Sequence, residues 1–149
     1  MLFIKRHSLV SEKPLNIVRN NLKSSNDKLN VTELNETKLY GLMKNKYGTG
    51  YDIISDINLK YVSSEKTTIE IKNEFDLFTN LFLIAMFVGL WGISIYKLIN
   101  GESILSFELI LMFTFPIIGA LITKSSFGIY DKRIMKIYTS LLNNNEPNK

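Results

Sequence analysis

Two long apolar runs, Leu77 to Ile99 and Ile104 to Thr123, interrupt a chain that otherwise alternates over short distances, and only Asn100 to Ser103 separate them. An α-helix rises about 1.5 Å per residue and bilayer hydrocarbon is about 30 Å thick, so about 20 apolar residues are needed to cross. Both runs meet that length. The first carries no charge before Lys97, and the second has one, Glu108. The pattern predicts a transmembrane helical hairpin with spans at 77–99 and 104–123 and a turn at 100–103. The alternative, two core helices of a soluble protein, would need more polar covering than 149 residues supply. Residues 1–30 hold no continuous apolar stretch, so the first span is not read as a cleaved signal peptide.

Shorter periods govern the rest. Leu2 to His7 reads as a strand. Ser11 is placed to cap a helix over Glu12 to Ser24, with Glu12 in its first turn, Pro14 tolerated early, and Leu15, Val18 and Leu22 on one face. Ser24 to Thr37 is polar, either a long loop or a loop holding a weak strand at Leu29 to Leu34. A meander follows: Leu39 to Lys44, a turn at Asn45 to Gly50, Tyr51 to Tyr61, a turn at Ser63 to Glu65, and Thr67 to Glu74. Alternation through Ile53, Ser55, Ile57 and Leu59, and through Thr67, Ile69, Ile71 and Asn73, gives the sheet one oily and one wet face. After the second span, 127–142 carries Tyr130, Ile134, Ile137 and Leu141 on one helical stripe, with Asp131 at its border. Such a helix either packs on 1–75 or lies on the membrane surface. Residues 143–149 read as a disordered tail. The expected class is therefore an α+β membrane protein: a small antiparallel sheet with N-terminal and C-terminal helices, interrupted by a two-helix hairpin.

The segments LFIKRH, YDIISDINL and TTIEIKNEF, the hairpin, and FGIYDKRIMKIYTSLL occur in an order that resembles small bacterial two-pass membrane proteins with a partial helix-grip (SRPBCC-like) cytoplasmic domain. The resemblance covers most of the chain at the level of pattern. It implies a strand, a helix, a meander, an inserted hairpin and a closing helix. It lacks the polar signature of that group's middle strands and implies no particular chemistry.

Charge adds orientation. Lys60, Lys66 and Lys72 precede the first span, and Lys124, Lys132, Arg133 and Lys136 follow the second, whereas the turn region offers Lys97 against Glu102. Positive flanks stay inside, which predicts cytoplasmic termini in the inner membrane. Lys72, Lys124, Lys132, Arg133 and Lys136 are then the basic residues at the membrane surface. The sequons at Asn30 and Asn35 would lie in the cytoplasm, where they carry no glycan. The net charge of +4 comes mostly from lysines interleaved with acids, a solvated surface rather than a phosphate track, so no nucleic acid is expected.

Within the spans, Glu108 is the candidate polar site, for proton handling or a partner's cation, against an interfacial position paired with Lys97. Pro116 should kink the second span. Ala85, Gly89 and Gly92 form a candidate packing face, toward the second span or toward a partner. Elsewhere the chemistry is thin. The chain holds no Cys and a single His, His7. Gly48-Thr49-Gly50 lacks the remainder of a phosphate-binding motif and reads as a turn. Asp52 with Asp56, and Glu70 with Glu74, would each lie about 13 Å apart on one strand face, too far to share a proton. With no nucleophile, base, metal set or cofactor cradle in the pattern, neither catalysis nor a cofactor is expected. The expected role is a non-enzymatic interaction module or accessory subunit, touching membrane lipids and a protein partner, with homo-oligomerisation open. Immunity against a membrane-acting toxin, and lipid or small-ligand binding under the sheet, are the alternatives.

Overall fold

The computed structural model describes residues 3–23, 29–43, 53–75, 77–101 and 107–143. Its elements are β1 (Ile4–Ser11), α1 (Leu15–Lys23), β2 (Leu29–Asn35), β3 (Lys38–Met43), β4 (Ile53–Ser63), β5 (Lys66–Phe75), α2 (Leu77–Ile99) and α3 (Phe107–Asn143). They divide into two compact units. One comprises 1–76 with 129–149, and the other comprises 77–128.

The first unit is built on a five-stranded antiparallel sheet of order β1-β5-β4-β3-β2. Side chains alternate as the sequence pattern requires. Leu39, Ile53, Ile57, Leu59, Ile69, Ile71 and Phe75 are buried on one face. The opposite face carries Arg6, Ser8, Asp56, Asn58, Glu70 and Lys72, by the register of the paired strands. α1 covers the buried face with Val18 and Leu22, both fully buried, and α3, whose Asp131 meets Asn73 and whose Tyr138 meets Gly41, buries Ile134, Tyr138, Leu141 and Leu142.

Two boundaries differ from the sequence pattern, and one alternative it left open is decided. β1 runs on to Ser11, which pairs with Thr67 rather than capping a helix. Helix α1 opens later, where the Val18 amide donates to the Pro14 carbonyl at 3.0 Å, because Pro14 has no amide to lose and its carbonyl is free to accept. The weak strand at Leu29 to Leu34 forms as β2, closed onto β3 by an Asx turn in which the Thr37 amide donates to Asn35 Oδ1 at 3.0 Å. The turn expected at Asn45 to Gly50, Asp52, the second half of the 100–103 turn, the first three residues of the expected second span (104–106), and the tail beyond Asn143 lie outside the described residues.

The largest correction concerns the C-terminal helix. The second apolar run and the expected helix at 127–142 are one element of 37 residues, about 55 Å long. Lys124 to Gly128 contains no proline, and ending one helix to start another would leave eight backbone groups to satisfy. The buried stripe is also rotated from the expected one. Asp131, Ile134, Tyr138 and Leu141 are buried, while Tyr130 and Ile137 are only half-buried.

In the second unit, α2 and the apolar part of α3 are long and apolar enough to cross a membrane, with mean hydropathies of 2.0 and 1.6 over windows that are only 11% and 17% buried. Core helices of a soluble protein are mostly buried, and these are not. Gly101, at φ +88°, ends α2 by donating its amide to the Leu98 carbonyl. Lys97 Nζ meets Glu108 Oε2 at 2.7 Å, and a β-carbon at Gly119 would lie 3.7 Å from the Met86 methyl. The two contacts are eleven residues apart on each helix, so α2 and α3 run antiparallel in one register. We therefore expect cysteines at Met86 and Gly119 to be joined by a short thiol cross-linker, and the Gly89/Gly119 pair to remain unjoined on gel analysis.

Candidate functional site

One row of residues breaks the oily face of the sheet. Lys5 of β1 pairs in register with Asn73 of β5, Asn73 with Ser55 of β4, and Ser55 with Gly41 of β3. Ser55 and Asn73 are fully buried, at positions where the alternation otherwise supplies Ile or Leu. Burial of such groups is tolerated only when their hydrogen bonds are made. Ser55 Oγ donates to Asn73 Oδ1 at 2.6 Å, and Asn73 Nδ2 donates to Asp131 Oδ1 at 2.8 Å. The same carboxylate oxygen accepts from His7 Nε2 at 2.8 Å, while Lys5 Nζ lies 3.3 Å from Oδ2. Asp131, 1% exposed, is therefore the acceptor on which β1, β5 and, through Asn73, β4 converge.

Two turns along α3, the Tyr138 hydroxyl reaches the other end of the row. It lies over Gly41, where a β-carbon would collide with it. Ser55 turns its proton to Asn73, and the phenol hydroxyl is left without a hydrogen bond of good geometry among the described residues. Burial pushes the Tyr138 hydroxyl up to about 12, with the Ser55 hydroxyl pulling the other way. For Asp131, burial pushes the carboxyl up, but hydrogen bonds from Asn73 and His7, the charge of His7 and the Lys5 contact outweigh it and hold the group below the usual carboxylate range. A carboxylate so occupied is a structural anchor, not a free base. Among the described residues no group of three His, Cys, Asp or Glu side chains gathers to hold a metal.

The other sequence-derived candidates do not converge on this row. Glu108 has a side chain 70% exposed and is paired with Lys97 at the turn end of the hairpin. Ala85, Gly89 and Gly92 are exposed, and β-carbons at the two glycines would meet nothing within 4 Å. Packing of this face on the second span is thereby corrected. α2 instead turns Leu83, Met86, Leu90 and Ser94 inward, one face of a 3.6-residue period. Pro116 is buried inside a helix that continues across it. Lys72 is held on the bare face of the sheet between Glu74 at 2.7 Å and Asp56 at 3.8 Å. Lys124, Lys132, Arg133 and Lys136 are exposed along α3. The sequence reading left Asp131 at a border and set His7 aside for want of a second histidine. The available signal was the pair of polar residues, Ser55 and Asn73, in the apolar phase of their strands.

No protein-family model matches the chain, and no curated protein or solved structure matches it either.

Three outcomes follow from the row. Asp131→Ala should cost about 2 kcal/mol by stranding three donors, measured as thermal unfolding in detergent micelles. Because the native carboxyl titrates below its unfolded value, its stabilisation is complete above the unfolded pKa of about 3.9 and is lost as pH falls through the lower native value. Asp131→Asn should therefore flatten that acid limb of the stability profile. Gly41→Ala should destabilise by about 1–3 kcal/mol through overpacking, and Tyr138→Phe should recover most of that loss in the double variant by removing the colliding hydroxyl.

Proposed function

We propose that the chain is a two-pass protein of the bacterial inner membrane, with both termini cytoplasmic, that presents its sheet-bearing unit as a non-enzymatic protein-interaction module or accessory subunit. The observation that carries this reading is the contrast between the two faces of the sheet. The helix-covered face is filled: Val18, Leu22, Ile134 and Tyr138 are all 0% exposed. The opposite face has no helix on it among the described residues and exposes Ile4 and Val10 beside its charges. Recognition then falls on the bare face and edges of the sheet, and a lipid or small ligand under the sheet would have to displace fully buried side chains. The lipid environment is supported by the outward apolar surface of α2 and α3.

Toxin immunity is a second reading, favoured by one feature. Ala85, Gly89 and Gly92 face outward with open space above the glycines, a surface that another membrane helix could approach closely. The two readings separate experimentally. Cross-linking in native membranes followed by mass spectrometry should recover a defined protein partner, and recovery of monomer alone would sink the module. Deletion of the gene should sensitise cells to a co-encoded membrane toxin under the immunity reading and leave them unaffected under the first. Cysteine labelling should reach positions 65 and 140 only from the cytoplasmic side; labelling from outside would reverse the topology.

A further inference from the structure

The two edges of the sheet are not alike. β2 is bent by a register shift between Glu33 and Asn35, and Glu33 is tied to α1 through Lys23 at 2.6 Å and Arg19 at 3.5 Å. β1 pairs with β5 over eight consecutive residues, without a bulge and without proline, and has a strand on one side only among the described residues. Half of its backbone N–H and C=O groups therefore point away from the sheet, a ready template for one more strand. Edge strands are usually guarded by a charged side chain, and Lys5 is the residue positioned to do so. Its ammonium is instead drawn under the sheet to Asp131, as is the His7 ring.

The bare-face side chains of β1 are Ile4, Arg6, Ser8 and Val10, all exposed. Arg6 has no carboxylate partner among the described residues. It borders a pocket of about 530 Å³ whose lining includes Ser8, Asn58, Glu70 and Lys72, with His7 and Ile71 at its floor. Glu70 is paired with Lys60, and Lys72 with both Glu74 and Asp56, so Arg6, on the edge strand itself, is the charged side chain of this face left without an ion pair among the described residues. β1 itself carries Lys5, Arg6 and His7 and no acid.

We propose that the β1 edge is the docking site of an extended acidic segment of a partner protein, added as a sixth, antiparallel strand. Cross-strand neighbours on one face repeat every two residues. A segment running opposite to β1 then sets an apolar residue beside Val10, any small residue beside Ser8, Glu or Asp beside Arg6, and an apolar residue beside Ile4. The motif is apolar-x-x-x-acidic-x-apolar. Backbone hydrogen bonds supply the affinity, and the acidic position supplies the selectivity. This rests on the reading of the unit as an interaction module and names the chemistry of its partner.

The test uses the full chain in lipid nanodiscs and a fluorescent nine-residue peptide carrying that motif on a threonine background, read by anisotropy. Saturable binding is expected, weakened at least tenfold by Arg6→Glu, with far-UV circular dichroism showing that the variant keeps its fold. A peptide with lysine in place of the acid should bind the Arg6→Glu variant better than the native chain. N-methylation of the alternate amides that face β1 should abolish binding, and methylation of the other set should not. Equal binding of both methylated peptides would reduce the effect to charge attraction and overturn the strand addition. Binding indifferent to Arg6→Glu would overturn the acidic specificity. Dimers in nanodiscs or detergent that are lost on Arg6→Glu would give the edge to a second copy instead, which also overturns it. A partner recovered by cross-linking while the peptide fails to bind would remove this inference and leave the module reading in place.

Discussion

A single buried carboxylate organises the sheet-bearing unit. Removing Asp131 from water is costly, and the cost is offset because Asn73, His7 and Lys5 converge on it from two strands. Those donors fix both the position of α3 along the sheet and its rotation about its own axis. With Asp131 held over Lys5 and Asn73, the next inward residues are set by the helical repeat. Ile134 falls into the core, and Tyr138 lands on Gly41, the position in the row that has no side chain. Gly41 is small because a helix two strands away in the register is pinned where it is.

The same interaction explains why little room is left beneath the sheet. A curved sheet closed by a helix often encloses a ligand; here the helix is drawn down onto a polar row and the interval is taken up by Tyr138, Ile134 and Leu22. The bare face and the β1 edge remain. They differ in chemistry from the rest of the surface because Lys5 and His7 are recruited inward to Asp131, leaving Arg6 as the charge that looks out from that strand. The anchor beneath the sheet and the open edge beside it are two consequences of one arrangement.

In the hairpin unit the forces are different. On the proposed placement of α2 and α3 in lipid there is no gain from hiding oil from water between them, so close approach and satisfied polar groups decide the packing. Met86 against Gly119 supplies the first, and Lys97 with Glu108 closes the turn end. The small residues Ala85, Gly89 and Gly92 are left on the outside of the hairpin.

Much of this was legible in the chain. Periods of two and 3.6 residues located the strands, α1 and both apolar helices, because alternation and helical stripes follow from backbone geometry alone. Run length marked the hairpin, since helix rise and bilayer thickness are constants. Charge near Glu108 already pointed to Lys97. The rest required tertiary structure. Strand order brings Lys5 beside Asn73 across more than sixty residues, and local pattern has no access to that pairing. Whether a helix ends near residue 124 depends on the cost of its termini against what it packs on, and the pattern on each side looked like a separate helix. The inward phase of α3 was decided by hydrogen bonds to Asp131, a residue that hydrophobicity alone assigns to the border. Ala85, Gly89 and Gly92 show the converse limit: the chain displays a small-residue face, and only the fold determines which neighbour it turns away from.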